Sequence, residues 1–254
     1  SGTYASWNWK ANGQGSSNTD GSINTTYTSV NTTAGFSISK YTGTGSTATV
    51  GHGLGVTPKM IIFKNTSSSV DWRVYHEALG NTHRLCLNDT SASTDDDSAF
   101  NDTSPTSTVF TVGGSSSTNA GTMIAYCFAE KTGYSKFGSY TGNGNSNGPF
   151  VYTGFKPAFV IYKGAVGGNA VDNWEMADNK RSPYNGIENV LYPNLNSAEG
   201  TGVTTRIDML SNGFKMRTNG SDYNGSGQTY IYMAFAEEPL VANSGTDGVP
   251  ATAR

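Results

Sequence analysis

The chain has 254 residues, enough for one large or two ordinary domains that each bury a core. Hydrophobic residues make up 35% and charged residues 14%; with 32 glycines and a net charge of −3, much of the surface falls to Ser, Thr and Asn. Without a basic run the chain is not expected to neutralise nucleic-acid phosphates. No apolar run approaches the roughly 20 residues of a membrane-spanning helix, so no membrane insertion is expected, and two cysteines are too few for a disulfide framework or a zinc site.

In chain order, Thr3–Lys10 reads as a strand carrying Tyr4, Trp7 and Trp9. A Gly/Ser/Asn loop follows, closed by an Asp20-Gly21 turn. Ile23–Val30 is Thr-rich and alternating, a strand expected to link two modules. Met60–Phe63 is a short, unbroken apolar run between Pro58 and Asn65, the pattern of a central strand covered on both faces. A Trp-led strand follows at Trp72–Tyr75, then one helical turn at Tyr75–Leu79. Further strands are expected at Arg84–Leu87, Val109–Val112 and Met123–Phe128. Beyond Tyr134 the series begins again, with strands at Ala158–Tyr162, Trp174–Met176, Val190–Tyr192, Phe214–Arg217 and Tyr230–Phe235. No window carries an apolar stripe of helical period with a capping signature. The end, Val241–Arg254, has no apolar pattern and reads as extended or mobile.

The second series repeats the first. Tyr41 and Tyr140, Gly45 and Gly144, Pro58 and Pro157, and Phe63 and Tyr162 are all 99 positions apart. The offset then grows to 102 at Trp72 and Trp174, and to 107 at Phe128 and Phe235, as the loops differ. A period of about 100 residues is a whole small domain, too long for a solenoid unit. Short strands at 8–12-residue spacing suggest antiparallel sandwiches. The fold class expected is therefore all-β: two tandem antiparallel β-sandwich modules, jelly-roll-like or immunoglobulin-like. Residues 35–133 would form the first repeat, 134–240 the second and 241–254 the tail. Thr3–Trp9 matches the segments that end each repeat (Thr122–Phe128, Thr229–Phe235), with Thr first and an aromatic six residues on. Residues 1–34 therefore read as the last strand of an upstream domain plus a linker.

Candidate chemistry is sparse. His52, His76 and His83 lack metal-ligand spacing and read as surface or loop residues. Gly51-His52-Gly53-Leu54-Gly55 precedes a strand, so it offers no helix N-terminus to a phosphate and reads as a tight turn. Asp95-Asp96-Asp97 with Asn88 and Asp89 is a candidate calcium loop, the alternative being a solvated acidic loop. Glu77, Asp89, Asp178, Glu188 and Asp208 are carboxylates of the kind glycoside cleavage requires, at separations no sequence sets. Trp72 and Trp174 could stack on sugars, but their shared position in the repeat favours core anchors, one per module. Aromatics outside the shared pattern, Tyr184, Tyr192 and Tyr223, are the candidates for ligand contact. Cys127 reads as a small buried residue, and a Cys86–Cys127 bridge stays open. No catalytic residue and no cofactor is assigned.

Several phrases carry a resemblance: Trp7-Asn8-Trp9-Lys10, Asn18–Ile23, Gly51–Gly55, Tyr75-His76, Gly133–Gly142 and Tyr230–Glu237. Over nearly its whole length the chain resembles a module of structural proteins of marine bacteriophages, among them tail-fibre and other virion-surface proteins. The resemblance implies a non-enzymatic virion appendage, extracellular on the particle surface, that contributes to host-surface attachment. Its expected partners are other virion proteins, a host cell-surface glycan or protein, and copies of itself, in a homotrimer. A purely structural capsid-decoration or filament subunit is the alternative, and a polysaccharide-degrading tailspike a lesser one.

Overall fold

The computed structural model describes residues 4–167, 172–200 and 206–237, with the backbone alone at 241–242 and 249–250. The first half contains β1 (Tyr27–Asn31), β2 (Phe36–Thr44), β3 (Ala48–Gly51), β4 (Met60–Asn65), β5 (Arg73–His76), β6 (His83–Cys86), β7 (Thr94–Asp95), the short helix α1 (Asp97–Phe100), β8 (Val109–Val112) and β9 (Ala120–Phe128). The second contains β10 (Ser135–Thr141), β11 (Phe150–Tyr152), β12 (Pro157–Val166), β13 (Glu175–Asp178), β14 (Ile207–Leu210), β15 (Gly213–Met216), α2 (Ser221–Asn224) and β16 (Thr229–Ala236). A two-residue ladder joins β17 (Val241–Ala242) to β18 (Val249–Pro250).

These strands form a stack of four antiparallel layers. A seven-stranded sheet, β1-β2-β9-β4-β5-β6-β7, is covered on one face by the pair β3-β8. A four-stranded sheet, β10-β16-β12-β13, is covered on one face by β11-β15-β14. The other faces of the two large sheets pack against each other through a third core that takes Phe36, Met60, Val74, Leu85 and Phe128 from the first and Phe137, Phe159, Ile161, Trp174, Met233 and Phe235 from the second. The order β2-β9-β4-β5 matches β10-β16-β12-β13 strand for strand.

Side-chain alternation explains the layering. Along β9, Met123, Ala125 and Cys127 point into the core beneath β3-β8, while Tyr126 and Phe128 point toward the second sheet. Met60-Ile61-Ile62-Phe63 is apolar throughout because β4 is central and meets apolar neighbours on both sides. Each fully buried Phe or Ile in such a core contributes about 1.5–3 kcal/mol. The sandwiches are thus packed back to back through a shared core.

Several sequence expectations need correction. Among the described residues, 4–12 form no strand: Trp7 and Trp9 turn onto Phe159, Phe128 and Phe235 at the margin of the shared core. The strand placed at Ile23–Val30 is β1, which pairs with β2 at the edge of the first sheet and links no modules. Val190–Tyr192 makes only isolated bridges. The helical turn read at Tyr75–Leu79 is a single 3₁₀ turn, Glu77–Leu79. The glycines of the repeat serve two purposes: Gly45 and Gly144 have positive φ, whereas Gly43 and Gly142 allow close approach, since an added Cβ would lie 2.2 Å from Asn119 C and from Gly225 O. The tail is outside the described residues apart from the β17–β18 ladder.

The histidines are corrected too. His52 and His76 are buried, and the same device makes this affordable in both. Nδ1 accepts the N–H two residues on (Leu54, Ala78; 3.2 Å each), and Nε2 meets a carbonyl, Thr106 O at 3.2 Å and Tyr232 O at 3.1 Å. With both ring nitrogens satisfied, a neutral imidazole can leave water. Burial holds the His76 pKa down at about 4.

Candidate functional site

The second sheet does not cover all of the first. On the shared face, cross-strand rows run Phe36–Phe128–Met60–His76, then Ile38–Tyr126–Ile62–Val74, then Lys40–Ile124–Lys64. In the first row all four residues are buried; in the second only Val74 is; and in the third Ile124 and Lys64 are half-buried and Lys40 exposed. The open part is a groove of about 330 Å³ lined by aromatic and aliphatic side chains, including Trp7, Trp9, Trp72, Tyr126, Ile62 and Leu87.

Each wall has a local cause. Trp72 precedes β5, its N–H held by Asn88 Oδ1 at 2.9 Å, and its ring lies nearly parallel to Tyr126 (16°, centroids 6.4 Å apart). Lys64 Nζ donates to Val70 O at 2.9 Å and sits 5.4 Å from the centre of the Trp72 ring, a cation–π distance. Trp9 meets Phe128, Phe159 and Phe235 edge-on. Arg181 lies 5.6 Å from the Trp7 ring centre while paired with Asp178 and Glu199. Half-burial pushes the Tyr126 pKa upward, so its hydroxyl remains a neutral donor and acceptor at the groove.

The paired tryptophans therefore do not each anchor their own module. Trp174 is buried in the shared core, and its Nε1 donates to Cys86 O, in the other half, at 2.7 Å. Trp72 is the half-buried floor of an open groove. The reason is the packing between the sheets, which covers β13 and leaves the start of β5 uncovered.

Of the tyrosines singled out by sequence, Tyr192 and Tyr223 come together and Tyr184 does not. Tyr184 stands 83% exposed. Arg206 bridges the other two, donating to Tyr192 Oη at 3.2 Å and lying 4.8 Å from the centre of the Tyr223 ring. The same guanidinium donates to both oxygens of Glu175, which also accepts from Tyr162 Oη at 2.7 Å. Burial pushes Glu175 up to about 7, against the pull of Arg206 and Tyr162. Glu175 is 1% exposed, so this cluster is an internal polar brace that holds β13 to the segments carrying Tyr192 and Arg206. Nothing in the sequence marked Glu175, because it follows Trp174 in a strand that alternation alone would leave half solvated.

Among the described residues the acidic loop does not gather into one set of ligands. Asp96 is taken by Arg84 at 3.1 Å and by Ser98 at 2.5 Å, Asp95 is exposed in β7, and Asp89 caps Ser91 N. Asp89 instead neighbours Asp71 and Cys86, where Arg73 and Arg84 supply the positive charge. Both cysteines are free and buried; Cys127 belongs to the core beneath β3-β8. Of the carboxylates weighed for glycoside cleavage, Glu77 pairs with Lys59, Asp178 with Arg181 and Asp208 with Arg217. Glu188 is exposed. Among the described residues no helix is long and apolar enough to cross a membrane.

Fold and groove together define an all-β protein made of two back-to-back antiparallel sandwiches, with an aromatic cleft where one sheet overhangs the other. The chain belongs to a family described as a domain of unknown function (DUF7483), whose profile matches residues 1–239. Neither a curated protein nor a solved structure matches it.

Proposed function

We infer that this chain is a bacteriophage structural protein, a tail-fibre or virion-appendage module that contributes to host-surface attachment without catalysing a reaction. It acts at the particle surface, outside the cell, alongside other virion proteins, and is arranged as a homotrimer so that several weak contacts add in avidity. The observation that supports this reading is the aromatic groove. Folded proteins seldom leave contiguous tryptophan, tyrosine and isoleucine open on a sheet face unless the face meets something else. The sequence resemblance supplies the context of that contact.

The test is adhesion. Fluorescently labelled protein should bind host-type marine bacteria saturably, and Trp72→Ala should weaken binding by about tenfold, as loss of an interfacial aromatic does. Sedimentation equilibrium should report a trimer. Absence of adhesion by wild-type protein, with incorporation into particles retained, would transfer the assignment to capsid decoration or a filament. Release of reducing ends from host polysaccharide would transfer it to a tailspike.

A further inference from the structure

The open half of the β2-β9-β4-β5 face combines two kinds of recognition group. Ile38, Tyr126, Ile62 and Trp72 line an apolar surface together with Trp7 and Trp9, the Trp72 and Tyr126 rings being nearly parallel. The adjoining row sets Lys40 and Lys64 on either side of Ile124. None of the groove-lining residues is acidic, although the chain as a whole carries a net charge of −3. Nor is any of them basic; Lys64 reaches the groove over the Trp72 ring, and the neighbouring Asp71 is paired with Arg73. Of the three donors of the Lys64 ammonium, Val70 O engages one.

We propose that the groove is a subsite for an acidic pyranoside of a host-surface polysaccharide; this rests on the attachment reading above and names the ligand class. A pyranose ring presents a face of C–H groups and a rim of hydroxyls. The face suits the Trp72–Tyr126 platform, where dispersion with a flat ring is largest. The rim reaches Asn8 and Tyr126 Oη, and a carboxylate or sulfate on the sugar turns toward Lys64, with Lys40 beyond it. The cavity, about 330 Å³, is at the lower end of the small-ligand range, which suits a short glycan segment. Charge also argues against a second copy as occupant. A symmetric pair with its two-fold axis through this row would bring Lys40 and Lys64 against the lysines of the other copy, and like charges across an interface oppose association.

The experiment is a tryptophan-fluorescence and calorimetric titration of the full chain with two acidic probes, hexagalacturonate and a sulfated galactan oligosaccharide. Each is compared with its neutral form, methyl-esterified or desulfated. At least one acidic probe should bind saturably and more tightly than its neutral form. Trp72→Ala should weaken it by about tenfold and Trp72→Phe by less, since a ring is retained. Lys64→Gln should weaken the acidic probe by roughly fivefold, leave the neutral form unchanged and flatten the salt dependence. Equal binding of neutral and acidic forms, indifference to Lys64→Gln, or no binding of either probe overturns the proposal. If wild-type protein still adheres to cells in that case, the attachment reading stands and only the ligand class falls. Concentration-dependent dimerisation abolished by Trp72→Ala would assign the face to a second copy and overturn it as well.

Discussion

His76 and Glu175 make opposing demands on pH, and their sum is measurable. The His76 pKa lies at about 4 against an ordinary value of 6.5, so below pH 6.5 the unfolded chain takes up a proton that the folded one refuses. Stability from His76 is thus present above its unfolded pKa and lost as pH falls toward the folded one, by about 2 kcal/mol between pH 7 and pH 5. Glu175 lies at about 7 against an ordinary 4.5. Its contribution is present below pH 4.5 and lost as pH rises through the folded value, so lowering pH from 7 to 5 returns about 2 kcal/mol. Burial also lowers the His52 pKa, which adds a further loss on acidification, so the wild-type slope serves as the reference. Relative to that reference, His76→Gln should come out about 2 kcal/mol more stable on acidification from pH 7 to pH 5, and Glu175→Gln about as much less stable. Each slope is read within one variant, so the absolute cost of leaving Arg206 without its carboxylate cancels. Parallel profiles in all three proteins would refute the burial and partner assignments for both residues.

Because the two large sheets share a core, thermal unfolding should show one calorimetric transition; two resolved transitions would mean that the sandwiches are independent units. Trp174→Ala should cost about 3–5 kcal/mol in urea unfolding, because a buried ring and the partner of Cys86 O go together. Trp72→Ala, at a half-buried position, should cost under about 2 kcal/mol, and equal losses would contradict their placement. At Gly43, Ala has no room against Asn119 C at 2.2 Å. At Gly45 the space is open and only φ +73° opposes it. Gly45→Ala should thus cost about 1–2 kcal/mol and Gly43→Ala more, with the reverse order counting against the turn geometry.

The strands that were legible in sequence are those whose environment is set locally. Val109–Val112 has the limits its composition predicts, and β4 is legible because an unbroken apolar run has one explanation, two covered faces. The lesser elements failed where a tertiary contact decides. Val190–Tyr192 has strand composition but finds only bridges, and Tyr4–Lys10 has strand alternation but spends its tryptophans on Phe128, Phe159 and Phe235 instead of a ladder. The groove was illegible for the same reason. Trp72 and Trp174 occupy one position in the repeat, and a pattern of residue types cannot say which copy will be covered. The burial of His52 and His76 is not legible either, because their solvation is replaced by a backbone N–H two residues away and a carbonyl that comes in one case from residue 232.

That difference in coverage runs through the whole face. Ile38, Ile62, Lys64, Trp72 and Tyr126 are half-buried, while the residues aligned with them in the second series, Phe137, Ile161, Lys163, Trp174 and Met233, are all buried. Lys163 is the extreme case. Its ammonium is enclosed, donating to Thr90 O at 3.2 Å and Gly164 O at 2.6 Å, and burial lowers its pKa to about 8. Lys64 instead lies over the Trp72 ring at the rim of the groove. Were the sheets related by a two-fold axis, equivalent positions would be equally covered. They are not, so one sheet is displaced across the other. The displacement hides the second series and leaves a strip of the first open. An aromatic residue at the shared position then meets two fates: under cover it binds the halves together, and in the open it becomes a platform. The cleft is thus a product of how two similar sheets are offset, and a substitution that re-centres them would close it without touching a residue that lines it.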